Sequence, residues 1–497
     1  MKFELKTFQD ERAYHRTAII IFLKAVRDVL GDVNVIIGNS LNQGYFAYVS
    51  GNGDKMLSNS AVSKISDRMK TIVDKDMEIV TETMTAEQAA AMWTAAGCHE
   101  KAELMAQRDP EETVEFAVLD GYRNCMYGKV LPSTGYIDLF EVRPYRRRGM
   151  LLRLPSVVGH GKIAAYRDDT KLYDAFAQSK RMRKSTGIQY LCDINRIIRE
   201  GGANEVIRQS EEYQNKVIRN YAKMIVDGQK RIVLIAGPSS SGKTTTAKRL
   251  CAAIAELTVE PLYMGTDDYF VDRKDTPIGP DGKPNFEGLD ALDLNLFNEQ
   301  MESLLAGREV DLPEFDFVEG CKIFGRRITR LEEGQILVIE GIHSLNDVLT
   351  SKIRPDDKFK IYISPLTQLG VDRHNRLSTA DARLMRRIVR DNQFRAYPAE
   401  KTLETWVKVR EGESVNIFPY SSSADVVFNS STSYETNMLR AMAEPLLLEI
   451  GEDSEQYGEA QRILEFMKYF DKIESTEAVP DNSILREFIG PRKERGE

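Results

Sequence analysis

Apolar residues recur along this chain with two periods, and the change of period divides it. Ile20, Ile21, Leu23, Val26, Val29 and Leu30 fall on one side of a helix over residues 17–30, with Lys24, Arg27 and Asp28 on the other. Strand-like runs follow at 33–37 and 45–49, separated by Gly38 and Gly44. Thr85 and Gln88 form a capping box that opens a helix, and Gly97 stops it. Two further strands are expected at 114–119 and 136–142. Residues 189–227 read as helix, broken at Gly201-Gly202. From Arg231 onward the pattern changes. Apolar runs at 232–236, 262–264, 336–339, 359–363 and 426–428 alternate with helical stretches. That alternation predicts an α/β domain with a mainly parallel sheet flanked by helices. Ile463, Leu464, Phe466, Met467 and Phe470 then give an appended helix its apolar side, and the chain end is expected to fray from Pro491.

Four parts are expected: an α+β domain at 1–195, a helical connector at 196–229, an α/β domain at 230–448 and a helical extension at 449–497. Hydrophobic content of 42% and charged content of 29% are those of a soluble globular protein. The net charge of −8 supplies no global field for nucleic acid. Cys98, Cys125, Cys192, Cys251 and Cys321 are scattered without a C-x-x-C pair, which fits reduced thiols in the cytoplasm. The opening residues lack a signal-peptide core and no apolar run approaches membrane-spanning length, so no membrane partner is expected. Oligomeric state stays open, a homo-oligomer included.

The sharpest chemistry lies at Gly237-Pro238-Ser239-Ser240-Ser241-Gly242-Lys243-Thr244-Thr245, which fits G-x-x-x-x-G-K-[ST]. An apolar run precedes it and a helical pattern follows, the context a phosphate-binding loop requires. Its backbone N–H groups can wrap a polyphosphate at a helix N-terminus. Lys243 would reach the β/γ-phosphates of ATP and the Thr244 hydroxyl would bind Mg²⁺. A tight turn with an exposed lysine is the plain alternative, which the flanking pattern disfavours.

Ligands of such sheets bind at the carboxyl ends of the strands. Asp267 and Asp268 follow the second run there, and Glu340 ends the third. Glu340 is placed to orient the Mg²⁺ shell and Asp267 to act as general base. Phosphoryl transfer also needs positive charge on the moving group. Arg383, Arg387 and Arg390 share one face of a predicted helix, with Arg395 beyond it in a polar loop, and suggest a lid.

These residues resemble the uridine kinase branch of the uridine kinase/phosphoribulokinase family of P-loop kinases, over 231 to about 447. The resemblance is carried by the phosphate loop, Thr266-Asp267-Asp268-Tyr269-Phe270, Asn285-Phe286-Glu287-Gly288, Leu312-Pro313-Glu314-Phe315-Asp316-Phe317, Ile339-Glu340-Gly341 and Arg386-Arg387-Ile388-Val389-Arg390-Asp391. It implies an ATP- and Mg²⁺-dependent kinase acting on the hydroxyl, a ribose 5′-hydroxyl, of a nucleoside-like small molecule. Asp267 falls on the base, and Glu287 on an aspartate that binds ribose hydroxyls. Phe315 and Phe317 fall on aromatics of the base pocket. Arg387 falls near substrate and phosphate, with Arg390 and Arg395 in the lid. Phe270 and Phe315 stand where tyrosines are expected, Tyr397 where a lid arginine is expected, and Gly320 where a histidine reads the pyrimidine edge. Kinase chemistry therefore carries over better than uridine specificity. The segment 368–382 has no counterpart.

The first part resembles the second domain of threonyl-tRNA synthetases, shared with alanyl editing domains, over roughly 10–195. Ile37-Gly38, Gly44-Tyr45-Phe46, the helix from Thr85, Lys101 to Leu104, Tyr122 to Gly128 and Pro132-Ser133-Thr134 carry it by their order. The positions that hold the family's editing metal are Ile20, Lys24, Met126 and Val130 here, none a competent zinc ligand in that arrangement. The resemblance implies the fold without the deacylation. A basic cluster, Arg143, Arg146, Arg147, Arg148 and Arg153, could hold RNA phosphates. It supports an alternative, an ATP-switched RNA- or tRNA-linked regulator, which the acidic net charge disfavours. A solvated charged edge is the plainer account of the cluster.

Overall fold

The computed structural model describes residues 3–41, 44–50, 57–147, 149–279, 282–367 and 369–492. Two compact units emerge. The first is Met1–Gly201 with Thr367–Ser378 and Gln461–Asp471; the second is Gly202–Leu366 with Thr379–Ala460 and Lys472–Glu497.

In the first unit the long helix α1 (Phe8–Leu30) starts earlier than the apolar pattern suggests, because Thr7 and Asp10 close a capping box. β1 (Asn34–Leu41), β2 (Gly44–Ser50), β6 (Glu141–Tyr145) and β7 (Gly149–Arg153) form an antiparallel sheet in the order β1-β2-β7-β6. α2 (Asn59–Asp74) was not legible as a helix of its own, yet its Ile65, Met69 and Ile72 pack with Ile20, Phe22 and Val26 of α1 in one core. β3 (Val80–Thr85), β4 (Thr113–Leu119) and β5 (Tyr122–Asn124) make a second antiparallel sheet. α3 (Ala86–Ala95) and α4 (His99–Ala106) share a small core with it, around Trp93, Met105 and Phe116. The strand expected at 136–142 begins only at Glu141, since Thr134–Tyr136 form a 3-10 turn. α5 (Thr170–Thr186) and α6 (Leu191–Arg199) complete the unit.

The segment without a counterpart is largely part of this first unit. Arg373 makes a bidentate pair with Glu100 at 2.5 and 2.7 Å. His374 Nδ1 lies 3.0 Å from the buried Lys101 amine, and Asn375 donates to the Cys125 carbonyl at 2.9 Å. These tertiary partners lie some 250 or more residues away, which no local pattern reveals.

In the second unit α7 (Ala203–Asp227) leads into β8 (Ile232–Ala236), α8 (Lys243–Ala255) and β9 (Leu262–Gly265). α9 (Leu294–Leu305) precedes a two-stranded hairpin, β10 (Val310–Asp316) and β11 (Cys321–Thr329). β12 (Leu337–Glu340), β13 (Lys358–Ser364), α10 (Thr379–Arg395), α11 (Ala399–Asn416), β14 (Val426–Asn429) and α12 (Glu435–Leu448) follow. The five-stranded sheet is parallel throughout, in the order β14-β13-β8-β12-β9. α13 (Tyr457–Met467), most of which belongs to the first unit, and the short α14 (Arg486–Ile489) follow, so residues 449–492 are not one helix. Among the described residues no helix is long and apolar enough to cross a membrane.

Candidate active site

Register sets the site. Glu340 pairs with Ile235 of β8 on one side and with Gly265 of β9 on the other. The carboxyl ends of β8, β12 and β9 therefore lie side by side, and the turns leaving them converge. After β8, with all five residues buried, the phosphate loop turns into α8 through Gly242 in the left-handed region. Lys243 Nζ lies 3.4 Å from the Pro238 carbonyl of its own loop. The Thr244 hydroxyl donates to Glu340 Oε1 at 2.8 Å, and the Tyr263 hydroxyl donates to the same oxygen at 3.3 Å.

After β9 a 3-10 turn, Thr266–Tyr269, carries both aspartates, with different duties. Asp268 pairs with Arg327 of the hairpin at 2.7 Å and lies 3.4 Å from the Phe315 N–H. The Asp267 carboxylate has no hydrogen-bond partner among the described residues, while its backbone carbonyl lies 3.4 Å from the Phe270 N–H. The residue is exposed to solvent, yet protein atoms crowd around its carboxyl. That enclosure pushes its carboxyl up to about 6, Glu340 and Asp268 add to the rise, and Lys243 opposes it.

Glu287 is raised too, first by burial, then by the nearby Glu413 charge, with Arg387 and Lys243 opposing. It lies against α11, where a Cβ on Gly412 would stand 2.0 Å from Glu287 Oε2. Phe270, Phe315 and Phe317 form a continuous aromatic wall, with ring centroids 5.7 and 5.1 Å apart. Phe315 is 9% exposed and Phe317 60%. Gly320 has φ +73, and Arg273 lies across it, with its Cβ 2.8 Å from where a Gly320 Cβ would stand. The Arg273 guanidinium donates to the carbonyls of Phe317 and Val318, so a histidine ring at 320 would collide with it.

The arginines of α10 divide into two groups. Arg387 Nη1 donates to the Ser239 hydroxyl at 3.0 Å. Asp391 gathers Arg387, Arg390 and Arg395 at 3.1, 2.8 and 3.4 Å. Arg395 is the last residue of α10 and not in a loop. Arg383 does not join this group: it is buried against Glu413 at 2.5 and 2.7 Å. Arg386 is equally buried, pairing with Glu435 at 2.7 Å and reaching the Ser240 carbonyl at 3.3 Å.

Glu413, Arg386 and Asp391 were not singled out in the sequence as site residues. For the approach of Glu287 to α11 a signal existed. A glycine inside a helix costs stability, and Gly412 marks a close approach.

Thr245 meets a further residue outside the motifs, since its hydroxyl donates to Glu487 of α14 at 2.8 Å. In the first unit Arg143 lies over Tyr166 at 3.6 Å, and Arg146 over Tyr145 and Tyr173 at 4.8 and 4.6 Å. Arg153 is buried and pairs with Glu141. Arg148 lies outside the described residues.

Residues 232–437 match the Phosphoribulokinase / Uridine kinase family. This stretch spans the parallel sheet, the phosphate loop and the α10 arginines. The chain is 26% identical over 197 residues to a uridine kinase of Deinococcus deserti, an alignment covering 39% of this chain and 86% of that protein. It is 27% identical over 198 residues to a uridine kinase of Chloroflexus aurantiacus, covering 40% and 85%. Against a uridine kinase of Clostridium perfringens the identity is 29% over 175 residues, covering 35% and 74%. The match is at the level of a P-loop kinase family, whose members use ATP.

Proposed function

We propose that the second unit transfers the γ-phosphoryl group of ATP to a hydroxyl, a ribose 5′-hydroxyl, of a nucleoside or nucleoside-like small molecule. One observation carries the reading: the phosphate loop, Glu340 and an unpaired, raised Asp267 meet at adjacent strand ends. The relatives named above are uridine kinases, which supports a nucleoside-like acceptor.

On this reading the loop amides and Lys243 hold the triphosphate. The acceptor packs against Phe270, Phe315 and Phe317, and Glu287 accepts hydrogen bonds from its hydroxyls. Asp267 takes the acceptor's proton as its oxygen forms a bond to the γ-phosphorus, and the bond to the β-phosphate oxygen breaks to release ADP. Arg387 and Arg390, with Arg395, offset charge on the moving group. The Thr244 hydroxyl and the Glu340 carboxylate are hard oxygen donors that suit Mg²⁺. That ion would screen the phosphates' charge when bound. With Arg273 across Gly320, nothing at 320 can read a pyrimidine edge, so base selection is relaxed or altered.

For the first unit we propose a fold similar to the threonyl-tRNA synthetase second domain, without editing. Ile20 and Met126 are in its core, and Lys24 pairs with Asp28 and Asp120 at 2.7 and 3.2 Å. The RNA-linked alternative is weaker, because Arg143, Arg146 and Arg153 already stack on tyrosines of their own unit.

The test is ADP release from ATP across a panel of nucleosides, other ribosides and sugar alcohols. Acceptor-dependent ADP and a phosphorylated acceptor by mass are expected. No acceptor-dependent turnover with any of them would count against the reading.

A further inference from the structure

Ile484 and Glu487, near the end of the described chain, lie directly on the phosphate loop. Gly242 has φ +85, and a Cβ there would stand 2.4 Å from Ile484 Cγ2. Loop conformation and tail packing thus both require glycine at this position. From the same segment Glu487 Oε2 accepts the Thr245 hydroxyl at 2.8 Å and lies 3.4 Å from the Thr245 backbone nitrogen.

The segment that presents Glu487 is held on several sides. Ser483 donates to the buried Glu211 at 2.6 Å. Arg486 donates to the carbonyls of Thr476 and Val479, both at 2.8 Å. The Phe488 ring lies under the Arg386 guanidinium, 5.0 Å away. Glu487 is therefore delivered by a packed scaffold, not by a loose end.

Thr245 is the third residue of α8, so its N–H has no partner inside the helix. With Lys243 and Thr244 it makes up the first turn of α8, whose free N–H groups the motif turns toward phosphate. An anion at these donors gains from the helix N-terminus, and Glu487 now supplies that anion. A phosphate oxygen approaching the same N–H and hydroxyl meets a carboxylate already there. Two anions on one pair of donors repel, and one must leave.

We propose that Glu487 is a donor-site residue: its carboxylate competes with the nucleotide's phosphates for Thr245 and so sets how tightly the nucleotide binds. The proposal rests on the kinase reading of this site. It assigns the C-terminal segment a part in donor binding, although that segment lies outside the matched residues 232–437. A purely structural Glu487 would anchor the tail and leave nucleotide affinity alone.

The experiment is equilibrium binding of ATP and ADP, with Mg²⁺, to the full chain and to its Glu487→Gln, Glu487→Ala and Lys243→Ala variants. Circular dichroism and melting temperature accompany each. Glu487→Gln keeps the size of the side chain and removes the charge. Both Glu487 variants should bind ADP at least about fivefold more tightly, the lower bound for removing one like charge some 4 Å away in water. In steady state KM for ATP should fall. Unchanged or weaker binding in folded Glu487 variants, while wild type binds and Lys243→Ala binds at least about tenfold more weakly, overturns the proposal alone. Absence of nucleotide binding by every form, wild type included, removes the kinase reading and this proposal with it.

Discussion

The Glu413 carboxylate accepts the Ser239 backbone N–H at 2.8 Å, from a helix that follows the phosphate loop by 174 residues. The same carboxylate holds Arg383, which also donates to the Ser239 carbonyl at 3.3 Å. A buried ion pair thus fastens both backbone groups of one loop residue. Both side chains are at most 3% exposed, so removing one leaves the other charge buried and unpaired. Arg383→Ala should destabilise by about 3–5 kcal/mol and lower the melting temperature by roughly 10 °C. Replacing both, as Arg383→Met with Glu413→Leu, should recover much of that loss in a calorimetric scan. A single variant as stable as wild type would show the pair to be dispensable.

Among the described residues the Lys243 amine has one hydrogen-bond partner, the Pro238 carbonyl of its own loop, so little of the fold's stability rests on it. Lys243→Ala should keep the wild-type melting temperature within about 0.5 kcal/mol of stability. Its ATP affinity should fall at least tenfold, about what one lost charge-assisted hydrogen bond costs. Isothermal titration against ATP reads both the affinity and the stoichiometry.

A base must be ionised to take a proton. The Asp267 carboxyl is raised to about 6, above its ordinary value near 4, because enclosure and Glu340 disfavour its charge. The rate should therefore be full above pH 7 and fall as pH drops through about 6, tenfold per unit at the acid limit. Glu287, raised in the same direction, would steepen the fall if it too must be charged. A flat profile between pH 5 and 8, at saturating ATP, would contradict the assignment.

The aromatic wall separates stability from recognition. Phe317 is mostly exposed and Phe315 nearly buried. Phe317→Ala should leave stability within about 0.5 kcal/mol. Phe315→Ala should cost about 3 kcal/mol. Both should raise KM for the acceptor and leave KM for ATP unchanged. Initial rates over a grid of both substrates distinguish that pattern from a general loss.

Much of the second unit was legible because its signals are local. A buried run such as 232–236 announces a parallel strand, and the loop glycines announce the turn after it. Strand order was not legible, yet it is order that sets Glu340 between Ile235 and Gly265. The hairpin of β10 and β11 was visible only through Leu312–Phe317, since β11 alternates weakly and has no buried residue. Arg383 read as a lid charge because helical spacing gives a face and not what covers it; Glu413, thirty residues later, covers it. The residues 372–375 were opaque for the same reason: Arg373, His374 and Asn375 acquire a role only beside Glu100, Lys101 and Cys125.

The central claim is that Asp267 strips a proton from an acceptor hydroxyl in front of the phosphate loop. The most direct measurement is single-turnover phosphoryl transfer from γ-labelled ATP to the best acceptor of the panel, by wild type and by Asp267→Asn, with ATP affinity measured in parallel. The account predicts a rate lower by about 10²–10⁴ in the variant, the usual worth of a general base, with ATP affinity unchanged. Wild-type transfer by Asp267→Asn would contradict it.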